Sequence, residues 1–160
     1  MNTKEKVMLH KGMDKVRRMQ YEEAAQIFDR VIATNPDIPE AWNNRGVALF
    51  QLGRVEEAIE SYSRSLALDP NNLDALRNKG VLLLSTGRLD EALECYEHVL
   101  RLGGEPEDME SKATALVGMG RIQEALDCML LAVKAKPIQR FEDEIEALKQ
   151  MIKPGEGLTQ

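Results

Sequence analysis

The chain has 160 residues, 43% of them apolar and 30% charged, which suits one compact domain or one short repeat array with a polar surface. Its formal net charge of −6 argues against duplex nucleic acid and anionic membranes as partners, because both attract basic faces. Only 4% of the residues are aromatic, so a core has to be built mostly from aliphatic side chains and methionine.

The sequence contains no signal for secretion or membrane insertion. Residues 1–10 are charged and hold no apolar run. No stretch approaches the roughly 18 uninterrupted apolar residues that a membrane span requires. The two cysteines, Cys95 and Cys128, are therefore expected to be free thiols, and the expected location is the reducing cytoplasm.

A small-and-large residue pattern recurs along the chain. An alanine returns at intervals of 34, 34 and 33 residues, at Ala24, Ala58, Ala92 and Ala125. Four residues after each alanine stands a large apolar side chain: Phe28, Tyr62, Tyr96 and Met129. Twelve residues before each alanine stands a small residue: Gly12, Gly46, Gly80 and Ala113. Small residues let paired helices approach closely, and large ones fill the groove between them.

Helix breakers punctuate the same pattern. Gly53, Gly87 and Gly120 lie where a tight bend would join two helices, and Met19 takes this place in the first copy. A second helix is predicted to stop twelve residues after each alanine, at Pro36, Pro70, Gly104 and Pro137. Each copy is thus predicted to be a helix–turn–helix hairpin.

This pattern, clearest between Trp42 and Pro70, resembles the tetratricopeptide repeat (TPR), a helical hairpin of about 34 residues that stacks into a solenoid. The resemblance implies an all-α fold, a right-handed α-solenoid of four TPR units plus a C-terminal capping helix. The repeats are placed at about 5–38, 39–72, 73–105 and 106–137 of a domain at 5–153. A disordered tail is expected at 154–160.

The capping helix is predicted at about 138–153, where Phe141, Ile145 and Leu148 recur at a helical period. These three residues are aligned with Trp42, Gly46 and Leu49 of the second repeat. A solenoid needs such a helix, polar on its outer side, to cover its last apolar face.

The family resemblance implies a concave groove, lined by the first helix of each repeat, that receives a protein or peptide. Polar residues are expected at its rim: Lys6, Asn43, Asp74, Arg77 and Glu110. Glu146 and Lys149 are expected at the matching floor places of the capping helix. Seven of the eight floor positions are apolar: Met13, Val16, Val47, Phe50, Val81, Leu84, Thr114 and Val117. Two interpretations stay open, an apolar floor that binds a partner and side chains that merely pack adjacent helices together.

The resemblance implies a non-catalytic scaffold or adaptor that binds a peptide or amphipathic helix in the groove. The alternative is a structural module that self-associates as a homodimer through the groove or the end helices. No catalytic residue, metal or cofactor is predicted. Cys95, His98 and Cys128 could supply three metal ligands, but no fourth ligand is evident. Paired acids such as Glu56 and Glu57 suit the positive end of a helix rather than catalysis.

Overall fold

The computed structural model describes residues 1–152, and within that range the chain is entirely α-helical, with no strand. The all-α prediction is confirmed. The predicted tail at 154–160 and the last residue of the predicted capping helix lie outside the described residues. The helices are α1 (Thr3–Arg17), α2 (Tyr21–Thr34), α3 (Pro39–Gln51), α4 (Val55–Leu68), α5 (Leu73–Ser85), α6 (Leu89–Arg101), α7 (Pro106–Gly118), α8 (Ile122–Ala135) and α9 (Gln139–Ile152).

The helices belong to two compact units, one at Met1–Leu82 and one that begins at Leu83, so the boundary falls inside α5. In the first unit α1, α2, α3 and α4 pack on one another in series. In the second unit α6, α7, α8 and α9 do the same. Within each unit, every one of these helices thus packs on its neighbour in the chain, as stacked hairpins require.

The bends inside the hairpins share one backbone geometry. Gly53, Gly87 and Gly120 have φ angles of 73°, 73° and 75°, in the left-handed region that glycine tolerates best. The amide of Gly53 donates to the carbonyl of Phe50 at 2.9 Å, which closes the end of α3. Met19 adopts the same conformation with a φ of 58°, although it carries a side chain. The first bend is therefore strained where the later ones are not.

Close approach of the paired helices explains the small residues Gly12 of α1 and Gly46 of α3. A β-carbon on Gly46 would lie 2.6 Å from Cε1 of Tyr62, and one on Gly12 would lie 2.6 Å from Cε1 of Phe28. Both aromatic rings are fully buried. In the fourth repeat Ala113 and Met129 share one buried cluster. A flexible methionine leaves room for a methyl group that a rigid ring would exclude.

The 33-residue interval of the third repeat arises at the end of α6. That helix has 13 residues, whereas α2, α4 and α8 have 14. It ends at Arg101, and Gly103 follows with a φ of 88°. The left-handed glycine that follows the helix is Gly103, which lies one residue before the predicted stop at Gly104.

The chain's first helix begins two residues before the predicted domain boundary at residue 5. Asn2 caps it, since its side-chain Oδ1 accepts a hydrogen bond of 2.9 Å from the amide of Glu5. The Glu5 carboxylate accepts in return from the Asn2 amide at 2.7 Å. This reciprocal capping box satisfies amides that a helix start would otherwise leave unpaired.

The predicted alignment of α9 is wrong by one residue. Phe141 is the third residue of α9, as Ala41 is the third residue of α3, so it takes the place of Ala41 and not that of Trp42. Phe141, Ile145 and Leu148 are all buried in the core shared with α8. This helix therefore covers the apolar face of α8, as predicted, in a register shifted by one position.

Gly46→Ala tests the close approach of α3 and α4. Alanine favours a helix by about 1 kcal/mol over glycine, but overpacking against a buried ring costs about 1–3 kcal/mol. We expect a net loss of about 1 kcal/mol in the free energy of unfolding, measured with urea. In a Tyr62→Met background, which reproduces the Ala113 and Met129 pair, Gly46→Ala should cost nothing. If Gly46→Ala alone were as stable as the wild type, the two helices would not be in the close contact described.

Met19→Gly tests the strain of the first bend. Its side chain is 76% exposed, so little buried contact is lost with it. Glycine adopts the left-handed conformation without strain, so the substitution should raise the free energy of unfolding by about 1 kcal/mol. Met19→Ala is the control, because it removes the same side chain but keeps a β-carbon at positive φ. Equal effects of the two substitutions would show that the backbone conformation is not the cause.

Candidate functional site

The first unit leaves the predicted apolar floor positions partly accessible. Four of them are half-buried, two on α1 and two on α3: Met13, Val16, Val47 and Phe50. On α5, Val81 is 48% exposed. None of these five side chains is closed off in the core, so each can still contact a partner.

The predicted rim position of Asn43 is not supported. The side chain is only 9% exposed, and its Oδ1 accepts a hydrogen bond of 3.0 Å from Nδ2 of Asn78. The pair links α3 to α5, so the amide of Asn43 serves helix packing. Arg77, another predicted rim residue, is half-buried on α5. The amide pairing depends on a residue of the next repeat, which is why the sequence pattern missed it.

The second unit holds the remaining predicted floor residues. Leu84 and Val117 are half-buried and pack against the core of this unit. Thr114 is exposed, and its hydroxyl donates to the backbone carbonyl of Glu110 at 3.0 Å. Leu84 and Val117 thus contribute to packing within this unit. This agrees with the second interpretation, in which floor side chains pack adjacent helices together.

A pocket of about 200 Å³ lies between α7 and α9. Glu144 is the one charged residue of its described lining, which is otherwise mostly apolar. Its described lining residues are Ala113, Thr114, Val117, Glu144, Ala147 and Leu148. Two predicted floor residues, Thr114 and Val117, therefore meet a second wall that comes from α9.

Sequence reasoning missed that wall because of the register of α9. The helix starts place Ala147 and Gln150, and not Glu146 and Lys149, at the positions of Val47 and Phe50. Glu146 and Lys149 are both exposed, and they form an ion pair in which Nζ of Lys149 lies 3.9 Å from Oε2 of Glu146. The predicted matching of these two residues to the floor is thus corrected. Aligning α9 on its start after Ile138 would have found Ala147.

Glu144 of the pocket lining interacts with a second carboxyl group, that of Glu110. The pKa of Glu144 is raised to about 6, first by burial and then by its interaction with the carboxyl group of Glu110 on α7. Arg140 opposes the rise. The guanidinium of Arg140 lies 2.6 Å from Oε2 of Glu110 and 5.4 Å from the centre of the Phe141 ring. One cation thus faces two acids.

Metal-ligating and nucleophilic side chains occur across the described residues. Across residues 1–152 no cluster of three or more histidine, cysteine or acidic side chains could hold a metal ion. Cys95 and Cys128 are free thiols, the first buried and the second half-buried. Burial raises the pKa of the Cys128 thiol, which keeps it in its unreactive protonated form at neutral pH. Among the described helices, none is long and apolar enough to span a membrane.

A chain of helical hairpins with small-to-large packing and glycine bends defines a helical repeat protein. Two models of the tetratricopeptide repeat match the sequence, one at residues 9–72 and the other at residues 49–109. Together they cover more than half of the chain, which therefore belongs to the tetratricopeptide repeat family. This family supports a role in protein interaction, as a scaffold. No curated protein matches the chain.

Solved structures agree with this fold. MamA 41-end from Desulfovibrio magneticus RS-1 superposes with a TM-score of 0.85 at 23% identity, over 94% of this chain and 86% of that one. MamA AMB-1 gives a TM-score of 0.76 at 20% identity, over 94% and 90%. MamA MSR-1 gives 0.77 at 21% identity, over 94% and 88%. At these identities the likeness shows a shared TPR solenoid fold.

Glu144→Gln tests the carboxyl pair through its linkage to pH. The pKa of Glu144 rises from 4.5 to about 6 in the folded protein, so the folded state binds the proton more tightly than the unfolded one. Wild-type stability should therefore fall as pH rises through that interval. Glu144→Gln should be more stable than the wild type above pH 6, and this advantage should vanish below pH 4.5.

Thermal melts across pH measure this effect. Glu146→Gln, on the exposed side of the same helix, controls for the loss of one negative charge. If the melting temperatures of wild type and Glu144→Gln differed by the same amount at every pH, the carboxyl pair would not exist in solution.

Proposed function

We propose that this protein is a non-catalytic adaptor that captures a peptide or amphipathic helix of another protein on the apolar positions of its first helices. The observation that carries the proposal is the accessibility of these side chains in the first unit, where Val81 is 48% exposed and Phe50 is half-buried. Accessible apolar side chains grouped on one set of helices are typical of docking surfaces.

The spacing of these side chains suits a helical partner. Met13 and Val16 lie three residues apart on α1, as do Val47 and Phe50 on α3. Residues three apart share a face of a helix, so each helix offers a short apolar stripe. An amphipathic helix presents a matching stripe of its own, and an extended peptide can place alternate side chains on the same positions.

Two basic side chains of the first helices, Arg45 and Lys112, are already paired inside the protein, which favours an apolar contribution to binding. Nε of Arg45 lies 2.7 Å from Oδ1 of Asp29, and Arg45 also donates to the hydroxyl of Ser61 at 2.7 Å. In the fourth repeat Nζ of Lys112 lies 3.1 Å from Oε1 of Glu97. These ion pairs join first helices to second helices, so they support packing rather than recognition.

Self-association is the second candidate, and one observation favours it. On α8, Leu130 and Leu131 are 44% and 58% exposed. The corresponding positions of the first three repeats are polar or charged: Asp29 and Arg30, Ser63 and Arg64, Glu97 and His98. An exposed leucine pair in the last hairpin would suit a homodimer formed through an end of the chain. The expected cytoplasmic location remains a prediction.

Phe50→Asp tests the adaptor proposal. Loss of the Phe50 contact should weaken partner capture by about 2 kcal/mol, or roughly 30-fold, because a covered Phe contributes on that order. The fold should survive, since the side chain is only half-buried. The measurement is a pull-down from the native cell extract with wild type and variant, checked by circular dichroism.

Gln51→Asp is the matched control, with the same new charge at the exposed neighbouring residue of α3. It should keep the wild-type partners. Unfolding of Phe50→Asp would assign Phe50 to the core, and unchanged capture would remove it from the site. Light scattering of the pure protein distinguishes the two candidate functions. An adaptor should stay monomeric at every concentration, whereas a self-associating module should form a tight dimer.

A further inference from the structure

We infer that the pocket between α7 and α9 receives one apolar side chain of a bound peptide, and that a lysine or arginine next to it in the peptide pairs with Glu110 and Glu144. The inference rests on the proposed adaptor function and adds the chemistry of the partner, a short segment in which an apolar residue neighbours a basic one.

The size and lining of the pocket select a single apolar side chain. At about 200 Å³ it is smaller than the roughly 300–1,000 Å³ of typical small-molecule sites. Val117, Ala147 and Leu148 provide carbon surfaces on two sides. A leucine-sized group that enters would exclude water from these surfaces, which is the main source of favourable free energy for an apolar anchor.

The charges at the pocket's edge select a basic neighbour. Among residues 1–152, two charged groups act on the Glu144 carboxyl, Glu110 of α7 and Arg140 of α9. Arg140 is already held by Glu110 at 2.6 Å and lies over the Phe141 ring. With both acids ionised, the three groups carry one uncompensated negative charge. A cation supplied by a peptide would take the place of the proton that Glu144 binds at lower pH.

The acid at residue 144 is specific to α9. Counted from the small residue or the helix start, the same place in the four first helices holds His10, Asn44, Asn78 and Ser111. In α3, Asn44 simply donates to the backbone carbonyl of Glu40 at 2.7 Å. A neutral side chain thus serves the fold at this place. A second carboxyl beside Glu110 works against the folded state at neutral pH, which indicates a role in binding.

Matched peptides test the inference on the full chain. The probe is an acetylated and amidated amphipathic peptide with repeated Leu-Arg pairs, compared with peptides in which every Arg is replaced by Gln or every Leu by Ser. Binding is followed by NMR through the methyl group of Ala147 and the amide of Thr114. Above pH 6 the Leu-Arg peptide should perturb both signals and bind about tenfold more tightly than either control peptide.

Two variants separate the charge from the cavity. Glu144→Gln should lower the affinity for the Leu-Arg peptide about tenfold and leave that for the Leu-Gln peptide unchanged. Ala147→Leu should fill the pocket and weaken both peptides. Glu146→Gln, on the exposed side of α9, should change neither. Acidification from above pH 6 to below pH 4.5 should weaken the Leu-Arg peptide alone, as the Glu144 carboxyl becomes neutral.

The inference fails if the Leu-Arg and Leu-Gln peptides bind equally, if neither perturbs Ala147, or if Glu144→Gln has no effect. The adaptor proposal is judged separately by the partners captured from extract. If Phe50→Asp loses those partners while Glu144→Gln and Ala147→Leu keep them, the adaptor proposal stands and the pocket inference alone is overturned. If Phe50→Asp keeps them as well, the adaptor proposal fails too.

Discussion

The close contact between Gly46 and the ring of Tyr62 is the constraint on which the first unit depends, with Gly12 and Phe28 as its counterpart. Each pair brings two helices so near that a single added methyl would overlap the ring. Ala113 and Met129 meet the same need with a larger small residue and a more flexible large one. A larger small residue is thus combined with a more flexible large one. The hairpin requires a combined shape of the two side chains, and not a particular residue at either position.

That contact also decides which side chains remain available for binding. Once the small residue of a first helix faces its own second helix, the residue after it and the one three further on turn away from that contact, as Val47 and Phe50 do on α3. These positions are half-buried, so part of each side chain stays accessible. In α9 the corresponding residue is Ala147, and its small side chain leaves the space that becomes the pocket beside Val117.

The repeated features of the fold were predictable, and the features made by single residues were not. The alanine, the small residue and the bend glycine recur at a fixed period, so their roles in hairpins such as α3–α4 could be inferred by comparing copies. The register of α9 was missed because it lacks the small residue of the other first helices and holds Glu146 in that place. The burial of Asn43 depends on Asn78, and the pKa of Glu144 depends on Glu110, two partners that only folding brings near.

In the first unit, the small residue of a first helix touches the large side chain of the following second helix. Nuclear Overhauser contacts between the α protons of Gly46 and the ring protons of Tyr62 test it most directly, in the wild-type protein and without any substitution. The account predicts a strong contact for this pair and for Gly12 with Phe28. If the Gly46 α protons showed no contact with the Tyr62 ring while α3 and α4 were both helical, the packing described for the hairpin would be wrong.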